Sequence, residues 1–538
     1  MIRAELSPGA VAALAALGAC LAVLAVGHLD EDAYILFTYS SNLAHGHGIV
    51  WDLAHGPAEG ATDFLWMVLL AGLEWLGLDV GAAAALLNAA GLAASFYAVS
   101  RIAGLRGWPL HALLAVSLLC SHLTAASLGG FSTHFYCGVF ALACCFAVQR
   151  QYPRLAGALL VLALVRPDGV ILAFGIVAAI FACERREVLA RLPYFAAALA
   201  IAAAYFLWRW WYFGLFLPLP LMVKSHMLSP LDGLRWNVLP LLPLAGVIAL
   251  ILWRRAALNS RLVLVIGTGP LLLAAALSLA NQMQNLAFRF QAPMTLAVLT
   301  LGFCAGRDRP RLLALALLPW LAFGARAIDR EVYPLTAPDY VNYFPQTLDP
   351  LLGSSGRVAM TEAGRFGFRL AASKLDLVGL NSPAIALGTP RLVALEAFAP
   401  DLVFLHQVWT LDTSRLDAGR SWIELSRAEY LALPVLDTPA NPYHTDPTHE
   451  AAMAARGFAA AAGEAYHIYA VRYRGAFSHF YLLRRNGALS QAAFEAALTR
   501  SFQAASREPH CAYSNGFPCP LLVGGGTPPG RNLAAGRG

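Results

Sequence analysis

The sequence predicts a polytopic α-helical membrane protein, with about eleven transmembrane helices, followed by a C-terminal extracytoplasmic α/β domain. Two observations carry this reading. The chain of 538 residues is 58% hydrophobic and only 13% charged, whereas soluble domains average about 25% charged residues. Its long apolar runs end near residue 326, and beyond them polarity is mixed. The net charge of +6 is modest, and Lys224 and Lys374 are the only lysines among 38 basic residues. This balance gives no reason to expect a nucleic-acid partner; the partners it implies are membrane lipids.

A spanning helix needs about 20 mostly apolar residues. Runs that meet or approach this lie near 9–27, 82–100, 109–127, 132–149, 154–166, 168–183, 192–212, 237–253, 262–280, 290–305 and 311–326. The first is read as a span and not as a cleaved leader, because many further spans follow it. Orientation follows from Arg in the short loops. With the N-terminus in the cytoplasm, the inside loops hold Arg101 and Arg106, Arg150 and Arg154, Arg185, Arg186 and Arg191, then Arg254, Arg255 and Arg261, then Arg307, Arg309 and Arg311. The first outside loop, 28–81, holds eight acids and no Lys or Arg.

The apolar stretch Phe64–Leu78 is read as an interfacial helix, since a span there would invert every later loop. The expected organisation is then a transmembrane domain over 1–326, an extracytoplasmic α/β domain over 327–523 and a Gly/Pro-rich, disordered tail over 524–538. Strands are expected at Val358–Met360, Leu375–Val378 and Leu402–Leu405, between Ala-rich helices. Cys511 and Cys519 lie in the polar tail and would form a disulfide in an oxidising compartment.

Candidate chemistry gathers at the outside ends of the spans. The run His28-Leu29-Asp30-Glu31-Asp32-Ala33-Tyr34 leaves the first span, and three neighbouring acids bind a cation, share a proton or are simply solvated. Farther along come His45-Gly46-His47-Gly48 and Glu59-Gly60-Ala61-Thr62-Asp63. Arg166-Pro167-Asp168-Gly169 interrupts an apolar stretch too short for two full spans, so its charges must face protein or a cavity. An internal ion pair explains those two residues as well as a ligand site does. The segment from Tyr212 to Lys224 is broken by Gly214, Pro218 and Pro220, and ends in one of the two lysines. A phosphate contact or snorkelling to headgroups would each suit that lysine. A polar turn from Asn281 to Arg289 completes the set.

As an ordered set these motifs resemble the C superfamily (GT-C) of membrane glycosyltransferases, which use polyprenyl-phosphate sugars. The similarity is to the bacterial cell-envelope arabinofuranosyltransferase-like branch. The matching residues are Glu31-Asp32-Ala33-Tyr34, Tyr39, Asn42-Leu43, Gly46-His47-Gly48-Ile49-Val50, Glu59-Gly60-Ala61-Thr62, Leu65-Trp66, Arg166-Pro167-Asp168-Gly169, Tyr212-Phe213-Gly214 with Pro218 and Lys224, and Phe288-Arg289-Phe290 with Pro293. In the tail, Glu362-Ala363-Gly364 and Asp376-Leu377-Val378-Gly379-Leu380 match as well. The chain departs from the branch in Glu31, which replaces an Asp, in Thr38, which replaces an Arg, and in Gly130-Phe131-Ser132-Thr133, which lacks the usual Glu.

The resemblance implies transfer of arabinofuranose or a similar sugar from a polyprenyl-phosphate donor to an envelope glycan, glycolipid or glycoprotein acceptor, at the outer face of a bacterial inner membrane. The implied base is Asp32, with Glu31 second. Lys224, Arg289 and Arg166 would bind the donor phosphate. Glu59, Asp63, Tyr34, Asp168 and His47 would bind donor or acceptor sugar, and Phe213, Phe216, Pro218 and Met222 would line a lipid groove. Asp30, Glu31 and Asp32 would hold a divalent cation if one is used. The alternatives are a transporter, which would place charge at mid-bilayer in repeated halves, and a non-catalytic assembly protein on the same fold. No internal repeat is present, and the charges cluster on one side.

Overall fold

A computed structural model of the chain describes residues 8–24, 29–223, 230–280, 282, 285–336, 339–368, 370–406, 410–416, 420–436, 447–473 and 476–507. Lys224, Cys511 and Cys519 lie outside the described residues. The chain divides into two compact units. One comprises 1–29, 61–216 and 224–335, and the other 30–60, 217–223 and 336–538. This is a different division from a boundary at 326, because the acidic first-loop residues cluster with the C-terminal region. The loop expected as one piece over 28–81 is shared between the units.

The first unit is helical. Among the described residues six helices are long and apolar enough to cross a membrane: Val80–Ala103, Leu192–Phe213, Gly233–Trp253, Ser260–Leu277, Leu286–Gly306 and Pro310–Arg330. Trp108–Leu119 and His122–Leu128, bent by 51°, make a seventh if counted as one broken span. The remaining expected spans fall on Pro8–Leu24, Thr133–Val148 and Tyr152–Val165, which are shorter, and on Gly169–Ala190, which carries Glu184, Arg185, Arg186 and Glu187. Phe64–Trp75 is a separate helix of 12 residues.

Close backbone approach holds this unit together. A Cβ on Gly91 would fall on the backbone of His134 and Phe135, and one on Gly138 would fall on the backbone of Gly91. Glycines here let helices Val80–Ala103 and Thr133–Val148 touch along their axes, as small residues do in membranes. The run expected as a single span over 109–127 is broken at Cys120, and Ser121 caps the second piece by accepting from the Thr124 N–H. Trp320 donates from its indole to the Ser117 carbonyl beside the break. Near Glu184, where the backbone of Gly169–Ala190 kinks, Arg150, Tyr152 and Arg261 all bond that carboxylate. Arg261 also bonds the carbonyls of Ala147 and Val148, satisfying a helix end that would otherwise be orphaned.

The second unit is built on a six-stranded mixed sheet of order β2-β1-β3-β6-β5-β4. Its strands are β1 Arg357–Met360, β2 Ser373–Asp376, β3 Leu402–Leu405, β4 Trp422–Leu425, β5 Tyr466–Tyr473 and β6 Ala476–Arg484. β2, β1 and β3 run parallel, and β6, β5 and β4 add antiparallel. The expected strands Val358–Met360 and Leu402–Leu405 fall on β1 and β3, and Leu375–Val378 overlaps β2 at Leu375 and Asp376. β5 and β6, the longest of the described strands, were not among the expected ones. Phe404 stacks on Tyr481 across the β3–β6 pair at 5.0 Å, and Phe366 lies 4.3 Å from Phe404. Segment 30–60 belongs to this unit through specific bonds: the Trp51 indole donates to Ala363 O, and Asp52 accepts from the Lys374 N–H.

Candidate functional site

In the second unit the acidic run meets the carboxyl end of β1. Gly364 and Arg365 donate their backbone N–H groups to Glu31 Oε1 at 3.1 and 3.0 Å. Arg365 Nε stands 3.5 Å from Glu31 Oε2, and its guanidinium also reaches Asn342 Oδ1 at 2.9 Å and Asp339 at 3.5 Å. Gly364 permits this, since a Cβ there would fall on the Glu31 carbonyl. Asp30 Oδ1 accepts the Asp32 N–H at 3.1 Å, closing the acidic turn. Asp32 opens helix Ala33–Ala44 without capping it through its side chain.

Burial pushes the Glu31 carboxyl up to about 7, opposed by Arg365 and reinforced by Asp32 and Asp30. Glu362 is raised further for the same reason, burial first and then the charges of Glu31, Asp32 and Asp30. Arg365 is held firmly charged: the acids around it, Asp339 foremost, outweigh its burial. Five carboxyls, those of Asp30, Glu31, Asp32, Asp339 and Glu362, therefore gather around one cation, which favours the protonated forms of Glu31 and Glu362. Among the described residues no three His, Cys, Asp or Glu side chains form a group suited to a metal ion. Of the three acids proposed for a cation, Glu31 accepts from the Gly364 and Arg365 amides, and Asp30 accepts from the Asp32 N–H on its own turn.

Other expected residues of this unit are placed around that core. Tyr34 packs on Phe368 at 5.4 Å. The Tyr39 hydroxyl accepts from Gly60 N–H and donates to Asn381 Oδ1, both at 3.0 Å. Asn381 in turn donates to Asp376, so the Glu59-Gly60 segment is tied to the loop after β2. Glu59 is buried, and its carbonyl accepts from the Leu219 N–H. His47 is exposed, and its backbone N–H closes the end of the helix on Asn42.

The first unit holds a second cluster. Pro167 drives Arg166 into an extended conformation, with φ −146° and ψ 147°, and this breaks the helix after Val165. The Arg166 side chain then folds onto Asp168 in a two-pronged pair at 2.9 and 3.2 Å, with Asp63 at 3.8 Å. Ser132 donates to Asp63 at 2.7 Å. The guanidinium lies 5.1 Å from the Tyr136 ring and 5.3 Å from the Phe290 ring. Arg289 lies 3.9 Å over the Phe131 ring, on a turn where Ala287 and Phe288 adopt the left-handed region. Of the departures noted in the sequence, Phe131 and Ser132 thus contact Arg289 and Asp63.

Arg166 is buried with two carboxylates, so its loss would strand both. Arg166→Met is expected to lower unfolding free energy by about 3–5 kcal/mol. Thermal unfolding in detergent reads this, and a melting point equal to that of wild type would show that the pair contributes nothing. The groove segment is divided: Phe213 and Phe216 belong to the first unit, Pro218 and Met222 to the second. Arg209 donates to the Phe216 carbonyl at 2.9 Å, and Phe216 is exposed.

The apolar helices of the first unit define a multi-pass membrane protein. No protein-family profile matches the sequence, and no curated protein does. Among solved structures the chain is similar to ArnT from Cupriavidus metallidurans in the apo state, at 13% identity and a TM-score of 0.55, over 77% of this chain and 95% of that one. It is also similar to ArnT from the same organism bound to undecaprenyl phosphate, at 14% identity and a TM-score of 0.52, over 73% and 92%. At these identities the likeness is one of fold.

The sequence reading missed Arg365 and Asp339, and it quoted Glu362 only within a matching motif. The signal available for Arg365 was its position directly after the Glu362-Ala363-Gly364 motif that follows a strand.

Proposed function

We propose that the protein is a membrane glycosyltransferase that takes its sugar from a polyprenyl-phosphate donor. The observation that carries this reading is the fold shared with ArnT, one of whose structures holds undecaprenyl phosphate. The carboxylate-lined turn at Asp32 supports it. In the proposed reaction the acceptor hydroxyl attacks the anomeric carbon as its proton passes to Asp32. The bond between that carbon and the phosphate oxygen breaks, and its electron pair stays on the phosphate. Glu31 is the weaker candidate for base, because both its oxygens face Gly364 and Arg365.

A cation near the leaving phosphate stabilises the charge that develops there. Arg289 and Lys224 are proposed for this role. Arg166, already matched by Asp168 and Asp63, is proposed to hold those carboxylates in place for sugar hydroxyls. Glu59, Tyr34 and His47 remain proposed sugar contacts, and Phe213, Phe216, Pro218 and Met222 the contacts of the prenyl chain. The donor sugar is proposed to be arabinofuranose or a similar pentose or hexose, and the acceptor an envelope glycan, glycolipid or glycoprotein on the extracytoplasmic side of the inner membrane.

The test is purified protein in lipid nanodiscs, supplied in turn with polyprenyl-phosphate pentose and hexose donors and assayed for transfer and for donor hydrolysis. Turnover of one donor, lost in Asp32→Asn, is the expected result. No turnover with any donor would overturn the proposal in favour of a transporter or an assembly protein.

A further inference from the structure

The carboxyl ends of β2, β1 and β3 lie side by side, and in open α/β sheets this edge is where ligands bind. β1 delivers Glu362 there and β3 delivers His406. The two strands continue past their ladder through Thr361 N–H to Phe404 O at 3.0 Å and His406 N–H to Thr361 Oγ1 at 2.9 Å. His406 Nε2 stands 3.9 Å from Glu362 Oε1, beyond hydrogen-bond reach. The charges of Asp30, Glu31 and Asp32 bear directly on Glu362. Arg365, the one Arg beside it, is committed to Glu31, Asn342 and Asp339. Glu362 is therefore an incompletely compensated carboxyl, partly open at 24% exposure, beside the turn that carries Asp32.

We propose that Glu362 is the second working carboxyl of the Asp32 site, binding the substrate sugar by donating a hydrogen bond from its own O–H to a sugar oxygen. The assignment rests on the glycosyltransferase reading above. It also divides the labour among the acids: Glu31 is a positioning residue that fastens the acidic turn to Gly364 and Arg365, Asp32 accepts the proton, and Glu362 keeps its own. The groups facing Glu362 are Asp30, Glu31 and Asp32 from the first-loop turn, Arg365 from the turn after β1, and His406 from β3. Three of these five are acids, and they add to burial, the larger cause, in raising the Glu362 carboxyl well above the carboxylate range. Acids crowded around one committed Arg favour the donor form, which is lost as pH rises.

The experiment combines two substitutions with a measurement that needs no turnover. Glu362→Ala is expected to lower donor turnover by about 10²-fold, the loss of one strong hydrogen bond. Glu362→Gln, which keeps a donor of the same shape, should recover to within about tenfold of wild type and lose the alkaline fall in the pH profile. Infrared difference spectra of resting wild type minus Glu362→Gln should show the carbonyl stretch of a protonated carboxyl at neutral pH. A Gln variant no better than Ala, or an Ala variant as active as wild type, would overturn the proposal. So would the absence of that band. Because the band is read on resting protein, its absence counts against this assignment alone, whereas an inactive wild type counts against the transferase reading.

Discussion

Asp32→Asn is expected to lower sugar transfer by about 10²–10⁴-fold, the range of a lost general base, with unfolding free energy unchanged to within about 0.5 kcal/mol. The stability half follows from geometry. Asp32 does not cap helix Ala33–Ala44 through its side chain, and the turn is closed instead by its backbone N–H on Asp30, which Asn retains. Glu31→Gln is the comparison. Its amide oxygen can still accept from the Gly364 and Arg365 N–H groups, so it should cost about tenfold, the weight of a weakened ionic contact. Steady-state rates on both variants decide the assignment. Full activity in Asp32→Asn with loss in Glu31→Gln would make Glu31 the base, and activity in both would refute a carboxylate mechanism.

Gly364→Ala should be nearly as damaging, for a different reason. A methyl group there falls on the Glu31 carbonyl, which is backbone and cannot rotate away as a side-chain end can. Forcing it in costs about 1–3 kcal/mol of strain, or else the acidic turn lifts off the end of β1. A lifted turn moves Asp32 by about 1 Å, enough for a 10²-fold loss of turnover. The protein should still insert and assemble its helices, since Gly364 belongs to the second unit. Transfer assays beside limited proteolysis of the tail would check this. Wild-type activity in Gly364→Ala would mean that the turn and the strand end need not touch.

Part of this site was legible because the signal was local. Pro167 restricts Arg166, and Asp168 follows two residues later, so a pair inside a helix break could be read from four consecutive letters, and it forms. The strands β1 and β3 were legible as short apolar runs between Ala-rich stretches. The departure at Gly130-Phe131-Ser132-Thr133 was visible as a lost acid, yet its consequence was not: Ser132 bonds Asp63 and Phe131 lies under Arg289. The break at Cys120 was hidden because both halves are apolar, and hydropathy does not register a bend.

The sequence by itself determined the solvent each part of the chain prefers. Apolar periodicity, the sparse charge and the Arg-rich loops together dictate a helical membrane region with a mixed-polarity tail, and those terms depend on neighbours along the chain. Tertiary structure alone gave Glu31 and Asp32 different surroundings. Glu31 and Asp32 are adjacent and chemically alike, so nothing in their order separates them. They are separated by Gly364 and Arg365, which lie 333 and 334 positions away and bond Glu31. That contact exists only because the turn after a parallel strand holds a residue with no Cβ at the point where the acidic turn arrives.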